Sequence, residues 1–215
     1  MLDVLTAENQ QLRSNGDLQS LKKSNFRFMA KINEELLQKF DTFQNFMQTA
    51  KYTSTPIVVK DKRPQHESSL EYVKALECSE SFGNSYISIE VKNGDADHFS
   101  AKLMTDEISS KILLRYDSAG TSHRNNFDDI PLAEQLVTTP HIHKYDEKGR
   151  LIATKTDAIL ANPAASNITE GFPIFCSEGN IYGKLTTISP KIQVGEQPAI
   201  PFKNIEVDPC EGVQF

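Results

Sequence analysis

Tryptophan is missing altogether from the 215 residues, and only 3 are cysteine. Without tryptophan the chain lacks the strongest stacking surface for single-stranded bases. Cys78, Cys176 and Cys210 form an odd, widely spaced set. That set excludes a disulfide framework and a zinc knuckle, and it predicts three reduced thiols in a cytoplasmic protein. Long apolar runs are also lacking. None approaches the roughly 18 residues that a membrane-spanning helix needs, and mean hydropathy is −0.44. The stretch from Met1 to Arg13 has no basic region followed by an apolar core, so neither a signal peptide nor a membrane partner is expected. Positive charge is in deficit as well. A net charge of −6 argues against a protein that holds nucleic acid through a generally basic surface and leaves room only for a local basic patch.

What is present divides the chain into four parts. Residues 1–50 carry helical periodicity. A helix from Leu2 to Leu12 ends at the turn-favouring Asn15-Gly16 pair, and Asp17 caps a second that runs to Met47. Along it Met29, Ile32, Leu36, Phe40, Phe43 and Met47 recur at threes and fours, which makes one apolar stripe. The stripe either packs on the rest of the chain or serves self-association or a protein partner. Residues 51–69 read as a solvated connector, broken by Pro56 and Pro64. Lys60, Lys62 and Arg63 form a small basic cluster that suits a solvated linker, with contact to a phosphate backbone or an acidic partner as the alternative. His66 reads as exposed and inert.

From Leu70 the period changes to two. Leu70 to Leu76 is a strand or a short helix; Tyr86 to Val91, His98 to Met104 and Lys111 to Tyr116 are strands. His141 to Tyr145 and Leu151 to Thr156 flank a Glu-Lys-Gly-Arg turn and predict a hairpin. Residues 70–162 are thus expected to form a β-sheet domain and 163–215 a C-terminal extension. Within the extension Gly171 and Pro173 make Ile168 to Cys176 an irregular segment or edge strand. The expected fold class is α+β: an N-terminal helical module with a long amphipathic helix, packed on a mainly antiparallel β-sheet domain.

The chemistry concentrates between Lys111 and Arg150. On a strand, His141 and His143 point to one face, and Tyr145 continues their row. Arg115 and Asp117 form a similar pair, and His123, Arg124 and Asn125 follow closely. Imidazoles beside a guanidinium suit metal-independent RNA cleavage. Histidine serves as acid or base near neutral pH, and arginine clamps phosphate with a permanent charge. On this reading His141 and His143 transfer protons, His123 assists, Arg115 holds the phosphate and Asp117 orients a histidine. Arg124, Asn125 and Tyr145 bind the substrate, and no cofactor is needed.

Metal binding is a second chemistry. His141, His143 and Glu147 stand as H-x-H-x3-E, which resembles the core of the first cupin motif. Gln135 and Thr154 replace that family's glycines, and no histidine follows His143. A set of His123, His141, His143 and Asp117 is a further metal-binding combination.

One longer pattern resembles a known family. Leu114-Arg115-Tyr116-Asp117-Ser118-Ala119, then His123, then Thr139-Pro140-His141-Ile142-His143 is similar to the TumE-type toxins of toxin–antitoxin pairs. Related phage and bacterial proteins carry a form matched by Arg115, Asp117, Gly120, His123, Asn125, Pro140, His141, His143 and Tyr145. The resemblance implies a compact β-rich domain encoded on a mobile element and acting on RNA. The expected function is a toxin-like ribonuclease of a toxin–antitoxin or phage-defence system. The alternatives are a non-catalytic mobile-element protein that binds a host defence component, and a metal-binding cupin-like enzyme.

Overall fold

Alternation of polar and apolar side chains decides the architecture, because a strand sends successive side chains to opposite faces. Seven strands form one sheet: β1 (Asp61–Arg63), β2 (His66–Ala75), β3 (Ser85–Lys92), β4 (Phe99–Thr105), β5 (Ser109–Asp117), β6 (His141–Tyr145) and β7 (Leu151–Thr154). They come from a computed structural model that describes residues 31–63 and 66–195. Each strand pairs antiparallel with the next in the chain, so the sheet is an up-and-down meander. Register gathers the apolar residues on one face. Ile142, Tyr116, Ala101 and Ile89 lie in one cross-strand row, with Leu114, Leu103 and Ile87 in the next, and all are buried. The alternate residues make the other face polar. Its two central rows read His141, Asp117, Ser100, Glu90 and His143, Arg115, Lys102, Ser88.

The expected long N-terminal helix is not found in the described part of the chain. Residues 1–30, and with them the Leu2 to Leu12 helix and the start of the second, lie outside it. From residue 31 onward, two short helices, α1 (Glu34–Gln38) and α2 (Phe40–Gln48), take its place. Two local interactions explain the break. Ile32 bridges to Arg150 as an edge strand would, and the backbone N–H of Asn33 donates to the Gly149 carbonyl at 2.8 Å. The Asn33 side chain then accepts from Leu36 N at 3.2 Å, starting α1 afresh. The turn between the helices falls at Lys39, whose side chain donates to the Glu107 carbonyl at 2.7 Å. The apolar stripe survives in part: Leu36, Phe43, Phe46 and Met47 are buried in the same core as the sheet.

Two further expectations are corrected. The stretch taken for a solvated connector is woven into sheets. Lys51–Thr53 pairs with both Ile181–Gly183 and Glu77–Cys78, and Ile57–Val59 pairs with Ile192–Val194. The segment expected to be irregular or an edge strand forms the helix α4 (Ile168–Gly179), which follows the shorter α3 (Asp157–Ala161). Pro173 costs a helix interior roughly 3 kcal/mol. Against that, α4 buries Ile168, Phe172, Phe175 and Cys176 on the apolar face, and each large side chain returns about 2 kcal/mol. Among the described residues no helix is long and apolar enough to cross a membrane.

Candidate functional site

Pairing of β5 with β6 builds the centre of the site. His141 sits opposite Asp117 and His143 opposite Arg115, and all four point to the polar face. The imidazole rings of His141 and His143 are 4.6 Å apart, with their Nε2 atoms 2.9 Å from each other. Oδ2 of Asp117 lies 3.2 Å from His143 Nε2 and 3.7 Å from His141 Nε2. The other carboxylate oxygen, Oδ1, accepts from Arg115 Nε at 2.7 Å. Asp117, His141 and His143 are buried, whereas the Arg115 side chain is 42% exposed. Burial would raise the Asp117 carboxyl, but the adjoining His141 and His143 imidazoles and the Arg115 guanidinium outweigh it and hold the group well below the usual carboxylate range.

His123 reaches this cluster from a different direction. Its ring stands edge-on to His143 at 4.7 Å and to His141 at 6.5 Å. It is half-buried, and burial first, then the neighbouring His143 and His141, push its imidazole down from the ordinary value. A loop from Gly120 to Thr138 carries it, with His123–Arg124 paired to Leu136–Val137. Two amides fix that loop. Gln135 is buried and ties itself to Phe127 and Ile130. Asn125 donates to the Ala153 carbonyl at 2.9 Å and accepts from Ala153 N at 2.7 Å, so it closes the free edge of β7 as another strand would.

The sequence grouped more residues than converge. His141, His143, Asp117, Arg115 and His123 come together. Arg124 is exposed on its short strand. Asn125 is spent on the β7 edge, and Tyr145 packs edge-on against Phe43 at 6.3 Å with Asn33 donating to its hydroxyl at 3.4 Å. Glu147 lies exposed in the hairpin turn and is not part of the cluster, so the carboxylate beside the two imidazoles is Asp117. For Asn125→Ala we expect a loss of about 2 kcal/mol, since both Ala153 groups lose their partner; urea unfolding measures it, and an unchanged midpoint would contradict the edge-closing role.

A cleft of about 500 Å³ opens beside the cluster on the polar face. Arg63, His66, Lys92, His98, Lys102 and Arg115 line it, against two acidic residues, Glu90 and Asp117. Glu90 is buried and binds Arg63 at 2.8 Å and Lys102 at 3.8 Å. The Nε2 atom of His98 is buried there with no partner. Sequence reading passed over Lys92, His98 and Lys102, which stand on separate strands or turns, and set His66 aside as inert. Only strand register brings them to one wall. Comparison with protein-family models, with curated proteins and with solved structures returned no match.

Proposed function

We propose that the protein is a toxin-like ribonuclease, the activity implied by its resemblance to the TumE-type toxins. One observation supports this reading above the others. A chain of net charge −6 with histidine neutral gathers four cationic side chains, Arg63, Lys92, Lys102 and Arg115, and two histidines in one cleft, and Arg115 and Asp117 belong both to that cleft and to the imidazole cluster. A local concentration of cations on an acidic protein is what a phosphate backbone needs, since each neutralised phosphate releases counterions.

The roles follow from exposure. Arg115 keeps Nε on Asp117 and has its remaining N–H groups free to grip phosphate oxygens. His123 is the most open of the three clustered imidazoles and meets the ribose. It takes the proton as the 2′-oxygen attacks phosphorus and returns one to the 5′-oxygen as the P–O5′ bond breaks. His141 and His143 lie beneath it, buried, and hold the acidic anchor of Arg115 in place.

RNA cleavage by the purified protein, and growth arrest on its expression, test the reading. His123→Ala and Arg115→Ala are expected to slow cleavage about 100-fold or more with the fold retained by circular dichroism. Wild-type protein that neither cleaves RNA nor arrests growth, or variants as active as the parent, would sink it.

A further inference from the structure

We infer that Asp117, His141 and His143 bind one divalent transition-metal ion. The inference stands on side-chain geometry alone and would outlive the failure of the ribonuclease reading. Three atoms with lone pairs, His141 Nε2, His143 Nε2 and Asp117 Oδ2, face a common point at separations of 2.9, 3.2 and 3.7 Å. Donors that all sit about 2.1 Å from one ion lie about 3.0 Å apart at a right angle and about 3.4 Å apart at the tetrahedral angle. The observed spacings fall on both sides of those values. One ion therefore fits all three donors without moving a strand.

Without a cation the arrangement is poorly satisfied. A proton on one imidazole Nε2 can serve its neighbour or the carboxylate, which leaves the other ring's lone pair turned toward the Asp117 anion. Two imidazolium rings 2.9 Å apart would repel strongly. A divalent ion satisfies all three acceptors together. The surroundings support the same orientation. Arg115 occupies Oδ1 of Asp117 and so reserves Oδ2 for the ion, the part a hydrogen-bonded neighbour plays for a ligating carboxylate. Nε2 is the atom of each ring that faces the other donors; the second nitrogen, Nδ1, would carry the ring proton and is buried without a partner.

Two nitrogens and one carboxylate oxygen suit zinc, iron(II) or manganese. They leave coordination positions open toward His123, whose ring is 4.7 Å from that of His143. Of the two carboxylates that the sequence offered to the imidazoles, Glu147 of the cupin pattern is outside the cluster and Asp117 is in it. The one that reaches the imidazoles stands 24 residues before His141 in the chain, on the paired strand.

The test is titration of untagged, chelator-treated, full-length protein with Zn²⁺, together with the visible spectrum of the Co²⁺ form. The expected result is one ion per chain, Co²⁺ bands in the visible and a raised unfolding temperature. His143→Ala and the isosteric Asp117→Asn should weaken Zn²⁺ binding at least 100-fold, and Arg115→Ala about 10-fold through the carboxylate it positions. Exposed Glu147→Gln, outside the cluster, should leave binding unchanged. Wild-type protein that takes up no Zn²⁺ and gives no Co²⁺ bands would overturn the inference. So would a folded Asp117→Asn variant, verified by circular dichroism, that binds as tightly as the parent. Should His143→Ala fail to fold, the wild-type titration and Asp117→Asn decide. Ion binding in a protein that leaves RNA intact would count against the ribonuclease reading alone.

Discussion

Replacing Lys51 with methionine is expected to destabilise the protein by about 3–5 kcal/mol and lower the unfolding temperature by about 10 °C or more. Lys51 is 0% exposed, an unusual place for an ammonium group. Its Nζ donates to the carbonyls of Phe46, Thr49 and Gly179. Two of these stand at the C-terminal end of α2 and the third at that of α4. Helix ends leave carbonyls without partners and carry partial negative charge, so one cation serves two helices at once. It also lies 4.2 Å from the Phe46 ring centroid, over its face. Methionine keeps the length and packing but offers no donor, and three buried carbonyls lose theirs. Arginine fails too, because its planar fork cannot send three N–H groups toward convergent acceptors. Chemical unfolding at pH 7 measures the loss; a change under about 0.5 kcal/mol would show that the carbonyls find other partners.

The same residue gives a pH signature. Burial pushes the Lys51 ammonium down from 10.5 to about 8, with Cys78 acting weakly the other way. Between those two values the unfolded chain holds a proton that the folded one releases, so this group's contribution rises with pH across the window and is lost as pH falls through about 8. The gap between wild type and Lys51→Met should therefore change across that window and stay flat below it.

Lys51 also marks the limit of what local sequence discloses. It stands before a proline-punctuated stretch with Lys60, Lys62 and Arg63, and by residue type it belongs in a solvated connector. Burial comes from two helix ends, one of them 128 residues away, and no pattern near residue 51 records that. The sheet was easier to read. Period-two alternation in Tyr86 to Val91, His98 to Met104 and Lys111 to Tyr116 survives as β3, β4 and β5 within a residue or two of the expected ends, because each strand buries one face and a slip would expose it. The same alternation placed His141 and His143 side by side. It left two carboxylates open, Glu147 and Asp117, and strand pairing brings in Asp117. Helix reading failed in both directions. The apolar stripe ran through Asn33 and Lys39, where the chain turns instead to meet the Gly149 and Glu107 carbonyls. In α4, two residues that disfavour helices locally were outweighed by the core.

One of those two residues yields the other large effect. Gly171→Ala should be strongly destabilising, by about 3 kcal/mol, at the upper end of what overpacking costs. By helix propensity alone the substitution ought to gain up to about 1 kcal/mol. Contact reverses the sign. A methyl at 171 would collide with the Ala165 carbonyl oxygen and stand 2.9 Å from the Tyr116 hydroxyl and 3.0 Å from the Phe99 ring. The first of these is backbone, and it already accepts the Tyr116 hydroxyl at 2.7 Å. Phe99 and Tyr116 are stacked at 5.4 Å and have no room to part. The helix must therefore lift from the sheet, which loosens the packing of Phe172 and Phe175. Glycine is required here for close approach of helix and sheet, with no positive φ involved. Because α4 covers the apolar face while Asp117, His141 and His143 occupy the opposite one, stability and site should separate. Thermal unfolding of Gly171→Ala should shift down by several degrees, yet below its transition the variant should titrate with Zn²⁺ as the parent does. A variant as stable as the parent would mean that α4 yields at no cost. One that remains folded but loses the ion would mean that the donor set is positioned through the core as well as by the pairing of β5 with β6.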